Sequence, residues 1–129
     1  MILLGKIADP QALPAKPLIT AVTLAELSVG PLVARDEDER AARQAHLQQA
    51  EADFSPLAFD AAAARAFGRV AASLRRAGRK TSARSYDAMI AAIATANQLP
   101  VYTANPEDFA GIDDLTVVAV PRSSSGTVP

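Results

Sequence analysis

Residues 86–103 read Tyr86-Asp-Ala-Met-Ile-Ala-Ala-Ile-Ala-Thr-Ala-Asn-Gln-Leu-Pro-Val-Tyr-Thr103, an apolar helical run that passes directly into a short strand. Apolar residues follow Asp87 at i+3, i+4 and i+7, which is the spacing of one helix face. Working outward, residues 18–21 and 115–120 are further strand candidates, and helical stretches separate them. Strands that alternate with helices assemble into parallel sheets, so the sequence predicts an α/β fold.

Three more helices are predicted between the first strand candidate and residue 86. They cover residues 22–29, a polar stretch that begins at the acidic run 36–39, and residues 60–77. Asp60 is placed to cap the last of these helices, and Gly78 is placed to end it. Residues 54–59 contain a proline and predict an edge strand or an extended connector.

Length and composition exclude several classes of protein. The chain has 129 residues, which suits one domain, and we predict that domain over residues 1–121 with a disordered tail over 122–129. Because the chain has no Cys, disulfides, thiolate metal sites and cysteine nucleophiles are excluded. The single His46 argues against a His-rich zinc site or a His-dependent relay. The longest apolar stretch is interrupted by Glu26 and is too short for a membrane span, and no secretion signal is evident, so we predict a cytoplasmic protein.

Three of the 14 acids stand where a solvated charge is unexpected: Glu26, Asp87 and Asp108. Glu26 shares a helix face with two valines, Asp87 heads an apolar helix, and Asp108 follows the end of a predicted strand. Structural alternatives remain open for each acid. Glu26 could form a salt bridge at the edge of the core, Asp87 could stabilise its helix terminus, and Asp108 could form a capping box with Asn105.

Ligands of open parallel sheets collect beyond the carboxyl ends of the strands, where Glu26 and Asp108 are both expected. Carboxylates without Cys or His suit Mg²⁺ or Mn²⁺ and chemistry on phosphates, although structural acids in a small α/β domain give the same pattern. A basic run, of which Arg79, Lys80 and Arg84 are the RNA-binding candidates, precedes Asp87. A net charge of −1 gives the protein no overall attraction to nucleic acid, but this run could contact phosphates locally. Alternatively, the run could be an ordinary solvated surface.

Four stretches in this order resemble PIN-domain ribonucleases, most closely the VapC toxins of bacterial toxin–antitoxin pairs. The resemblance runs from about Pro17 to Val120 and is carried by Thr23-Leu-Ala-Glu-Leu27, Phe54-Ser-Pro-Leu-Ala-Phe-Asp60, Tyr86-Asp-Ala-Met-Ile-Ala-Ala92 and Val101-Tyr-Thr-Ala-Asn-Pro-Glu-Asp-Phe109. It implies a three-layer fold with a parallel sheet flanked by helices, and an Mg²⁺- or Mn²⁺-dependent endoribonuclease that is the toxin of a toxin–antitoxin pair.

The resemblance also implies roles for individual residues and for partners. In that family about four acids surround the metal, and Glu26, Asp87 and Asp108 match three of them. Thr103 and Asn105 match positions that keep polar support for the site. A homodimer, an RNA substrate and a VapB-like antitoxin whose Arg could reach the acidic pocket are implied in the same way.

The chain departs from the family at its start. The family opens with a strand that ends in Asp, whereas residues 1–7 resemble the helix that follows that strand, and Asp9 is not an equivalent ligand. We therefore expect the first strand to be missing from this chain, with truncation favoured as the reason. The alternative is a catalytically impaired PIN-like module that binds an antitoxin without cleaving RNA.

Overall fold

The computed structural model describes residues 2–3, 18–80 and 85–121. The predicted tail at 122–129, Asp9 and Arg84 lie outside these residues. The elements follow in the order β1 (Ile2–Leu3), α1 (Ala21–Val29), a first 3₁₀ helix (Gly30–Val33), α2 (Glu37–Asp53), α3 (Ala61–Arg76), α4 (Ser85–Ala96), β2 (Val101–Thr103), a second 3₁₀ helix (Pro106–Phe109) and β3 (Val117–Ala119). The alternation of helices and strands predicted from the sequence is therefore confirmed.

The strands form one small parallel sheet in the order β1-β2-β3. Val101 pairs with Ile2 on one side and with Val117 on the other. The strand predicted at 18–21 is reduced to single bridge residues at Leu18 and Thr20. Thr20 pairs in parallel with Leu57, and the Leu57 N–H donates to the Ile19 carbonyl at 2.9 Å. Residues 54–59 are thus an extended connector that makes one bridge.

The helix predicted over residues 1–7 is wrong at Ile2 and Leu3, which form β1 in parallel register with β2. Periodicity cannot separate a short apolar run in a strand from one in a helix, and pairing with β2 decides the conformation. One edge of β2 is therefore paired with β1 at these two residues. The prediction that the family's first strand is absent concerns this start of the chain, where residues 1 and 4–17 lie outside the described residues, so it stays a prediction.

Three helices begin where the sequence places a capping side chain. Thr20, Asp36 and Asp60 each accept a hydrogen bond from the backbone N–H three residues later, at 2.9, 2.8 and 2.9 Å. Such caps satisfy N–H groups that have no partner inside the helix. Helix α3 ends before Gly78, whose φ of +77° suits glycine, so both predicted ends of α3 are confirmed within a residue.

The core lies mainly between α3 and α4, which make the most extensive contact in the molecule. Val70 and Leu74 of α3 and Ile90 and Ile93 of α4 are at most 2% exposed. Fully buried alanines between these side chains allow the two helices to approach closely. This packing fixes α4 and therefore the position of Asp87 in its first turn. Among the described residues, no helix is long and apolar enough to cross a membrane.

Candidate active site

A cleft of about 310 Å³ lies where α1, the start of α4 and the end of β2 meet. Its lining includes all five residues that the sequence predicted for the site and four others, namely Thr23, Glu26, Leu27, Asp87, Ile90, Thr103, Asn105, Asp108 and Phe109. Thr103 ends β2, so the cleft lies at the carboxyl end of a parallel strand, as expected for a ligand site in this fold class.

Thr23 is a polar residue of the cleft that the sequence reasoning missed. It is buried, and its hydroxyl lies 2.9 Å from the hydroxyl of Thr20, the residue that caps α1. Thr23 precedes Glu26 by three positions, and this spacing places the two side chains on one helix face. That spacing was the signal in the sequence that could have identified Thr23.

The turn after β2 is held by one bond to a side-chain hydroxyl and one bond between backbone groups. Asn105 donates its N–H to the Thr103 hydroxyl at 3.0 Å and accepts the Asp108 N–H on its carbonyl at 3.0 Å. In a capping box the Asp108 N–H would donate to the Asn105 side chain, but that side chain makes no capping hydrogen bond. The Asn105 half of the predicted capping box is therefore not formed, and the backbone turn places Asp108 in the cleft.

The pKa of Glu26 is raised above its ordinary value of 4.5, first by burial of the carboxyl group and second by the negative charge of Asp87. Glu26 is exposed overall at the rim of the cleft, so both effects are partly screened by water. The described residues form ion pairs on α2 and at the end of α3, and none of these pairs includes Glu26. The core-edge salt bridge considered for Glu26 is not formed among them.

Glu26→Gln is expected to stabilise the metal-free protein at pH 7.5 and to have little effect at pH 4. A raised pKa in the folded state means that the native protein holds the proton more tightly, so stability is lost as pH rises from 4.5 through the folded pKa. Gln does not ionise, so the variant does not lose this stability as pH rises. Thermal unfolding in EDTA at the two pH values measures the difference.

Glu51→Gln is the matched control, because Glu51 is exposed on α2 and its replacement removes the same single charge. Equal shifts in the two variants would show that net charge, and not the setting of Glu26, causes the change.

The donor groups of the cleft suit a hard cation. They are carboxylate, hydroxyl and amide oxygens, the ligands that Mg²⁺ and Mn²⁺ prefer, and His46 lines a neighbouring pocket instead. Among the described residues, no three acidic or His side chains converge closely enough to enclose an ion. The residue types fit the metal, while the carboxylates share the cleft without converging.

The basic run at the end of α3 is divided between two roles. Arg76 pairs with Asp113 at 2.5 Å, and Arg79 donates to the carbonyls of Glu107 and Ala110 at 3.1 and 2.6 Å. Arg75 and Lys80 are exposed and line a shallow depression together with Arg79. Two of the cations are thus hydrogen-bonded within the protein, and two face solvent.

Comparison with known proteins agrees with this fold. The PIN domain profile matches residues 3–115. Ribonuclease VapC5 of Mycobacterium tuberculosis is 40% identical over 118 residues, which are 92% of this chain and 84% of that protein. The crystal structure of VapBC-5 from the same organism superposes with a TM-score of 0.80 at 36% identity, over 92% of this chain and 97% of that one.

More distant structures share the fold. FitAcB from Neisseria gonorrhoeae has a TM-score of 0.72 at 23% identity, over 92% of this chain and 96% of its own. DNA-bound VapBC from Salmonella typhimurium has a TM-score of 0.67 at 28% identity, over 78% of this chain and 73% of its own.

The chain belongs to the PIN-domain family. Within that family it is a VapC-type ribonuclease toxin of a toxin–antitoxin system. The resemblance identified from the four sequence stretches is therefore confirmed.

Proposed function

We propose that the cleft is the active site of a metal-dependent endoribonuclease, in which Glu26, Asp87 and Asp108 bind Mg²⁺ or Mn²⁺. The observation that carries this proposal is that the three acids, which come from α1, α4 and the second 3₁₀ helix, line one cleft. Like charges in one cleft oppose folding unless a cation offsets them, and the pKa of Glu26 is already raised by burial and, second, by the charge of Asp87. A cleft that retains this unfavourable repulsion between carboxylates in the folded protein is a candidate functional site.

The side chains of the cleft cannot attract RNA by themselves, because carboxylates repel a phosphodiester. A bound divalent ion supplies Lewis-acid chemistry that offsets phosphate charge and favours ionisation of water at neutral pH. Asp87 and Glu26 supply the negative charge that retains the ion. Thr103 and Asn105 support the site by fixing the turn that carries Asp108.

The exposed cations at the end of α3 give RNA a route to the cleft. Arg75 and Lys80 face solvent beside Arg79, which is bonded to the turn that holds Asp108. Of the predicted RNA-binding residues Arg79, Lys80 and Arg84, Lys80 faces solvent, and we include Arg84 from its place in the basic run. Binding through such contacts weakens as salt rises, because neutralised phosphates release counterions.

Removal of divalent metal is expected to abolish RNA cleavage. Purified protein with a mixed RNA substrate should cleave in Mg²⁺, lose cleavage in excess EDTA, and regain it when Mg²⁺ is restored above the chelator. The physical reason is that the acids alone provide no group that offsets the charge of the phosphodiester. Cleavage that continues unchanged in EDTA would contradict the mechanism.

We propose a VapB-like antitoxin as the protein partner and a homodimer as the assembly. The related structures are VapBC and FitAB complexes. Val29, Leu32 and Val33 are exposed apolar residues, with Leu32 85% exposed. Gly30, next to Val29 in the chain, lines a second pocket that shares Thr23, Glu26 and Leu27 with the cleft. An apolar surface beside an acidic cleft suits a partner that carries apolar side chains and an Arg.

A catalytically impaired PIN-like module is the second candidate function. It is favoured by the fact that no three acids converge to enclose an ion among the described residues. Titration calorimetry with Mn²⁺ separates the two candidates. A chain that binds antitoxin but neither binds Mn²⁺ nor cleaves RNA would be the impaired module.

A further inference from the structure

The turn that carries Asp108 is attached to the end of α3 through Arg79. The Arg79 guanidinium donates through one nitrogen, Nη1, to the carbonyl of Glu107 at 3.1 Å and to the carbonyl of Ala110 at 2.6 Å. These two carbonyls flank Asp108 along the chain. A charged donor shared by both carbonyls therefore fixes the backbone on either side of the acid.

The second 3₁₀ helix is held in place by tertiary contacts, which include burial of Phe109 in the core. It spans four residues, Pro106–Phe109, and no side-chain capping hydrogen bond begins it. Helical segments of this length are marginal without tertiary support. The position of Asp108 therefore depends on what the turn contacts.

Gly111 brings the turn against α3 more closely than any other residue type would permit. Its φ is +86°, and a Cβ at this position would lie 2.9 Å from the Cβ of Ala77. Two residues later, the Asp113 N–H donates to the Ser73 hydroxyl at 3.2 Å, and the Asp113 carboxylate pairs with Arg76. The chain from 107 to 113 thus follows the end of α3 at successive contacts.

We propose that Arg79 is a positioning residue that holds Asp108 at the metal cleft, and that it is not a direct RNA contact. The inference rests on the proposed function, because it assigns Arg79 an effect on a metal ligand. Nη1 carries two N–H groups, so one end of the guanidinium can donate to both carbonyls at once. Arg79 thereby links the end of α3 to the geometry of the cleft.

Mn²⁺ binding to the full chain, measured by titration calorimetry, tests this role without relying on activity. Arg79→Ala is expected to weaken Mn²⁺ binding about tenfold or more, the effect typical of residues that orient a metal ligand. Arg79→Lys should recover part of that loss. Arg65→Ala is the control, because it removes an exposed cation of α3 that makes no hydrogen bond to the turn among the described residues, and it should leave Mn²⁺ affinity unchanged.

A double-mutant cycle separates positioning from general stability. If Arg79 acts through Asp108, then Arg79→Ala should cause no further loss of Mn²⁺ affinity in an Asp108→Asn background. Additive losses in the cycle would overturn the proposal. An Arg79→Ala variant with unchanged Mn²⁺ affinity, but with weaker RNA binding and a smaller salt slope, would overturn it in favour of an RNA contact.

Hydrogen exchange of the metal-free protein distinguishes failure of this inference from failure of the proposed function. Arg79→Ala should accelerate exchange at residues 107–111, where the Ala110 N–H donates to the Glu107 carbonyl, while Arg65→Ala should not. If wild-type protein binds no Mn²⁺, the proposed metal site fails. The exchange result would still decide whether Arg79 holds the turn, and unchanged exchange would overturn that role.

Discussion

Asp87→Asn is expected to lower Mg²⁺-dependent RNA cleavage about 1,000-fold or more. A metal ion contributes several kcal/mol to stabilising charge in a transition state, and each 1.4 kcal/mol corresponds to a factor of ten in rate. Asp87 lines the cleft in the first turn of α4, and α4 is fixed by the core. Asn keeps the shape of the side chain and removes the charge that holds the ion.

Single-turnover cleavage in saturating Mg²⁺ measures the loss, and circular dichroism verifies that the variant is folded. Asp38→Asn is the matched control because Asp38 is exposed in the first turn of α2, so its loss should leave the rate unchanged. A second readout in metal-free protein is the pKa of Glu26. It should fall in Asp87→Asn but remain raised, because burial is the larger cause. Cleavage within tenfold of wild type would remove Asp87 from the metal site.

Ile93→Ala is expected to destabilise the protein by about 2–5 kcal/mol, the range for large-to-small changes in a packed core. Ile93 is fully buried between α3 and α4, where neighbouring alanines leave little scope for the cavity to close. Because α4 carries Asp87, the loosened core should also weaken Mn²⁺ binding. Urea unfolding of the metal-free protein measures the stability change.

Leu32→Ala is the control for Ile93→Ala, because it removes an aliphatic side chain of the same size from a position that is 85% exposed. Its effect on the free energy of unfolding should stay within about 0.5 kcal/mol. A comparable loss of stability in the two variants would mean that the core does not lie where α3 and α4 meet.

The helices and the three acids could be predicted from the sequence because their signals are local. Thr20, Asp36 and Asp60 each bond a backbone N–H three residues away, and the apolar periods span one or two helical turns. Glu26 and Asp87 were identified because each interrupts an apolar pattern. A buried charge needs compensation wherever the chain folds, so an acid within an apolar run is informative from the sequence alone.

The sequence by itself therefore determined the α/β class, the helix starts and the acids of the candidate site. The tertiary structure decided the conformation of Ile2, which pairs with Val101, and the bonds of Arg79 to carbonyls at 107 and 110. These contacts join residues distant in the chain. The energy of such a contact depends on which surfaces meet in the folded chain. The local pattern of an apolar run or a basic run is the same whatever it contacts, so the pattern does not predict the contact.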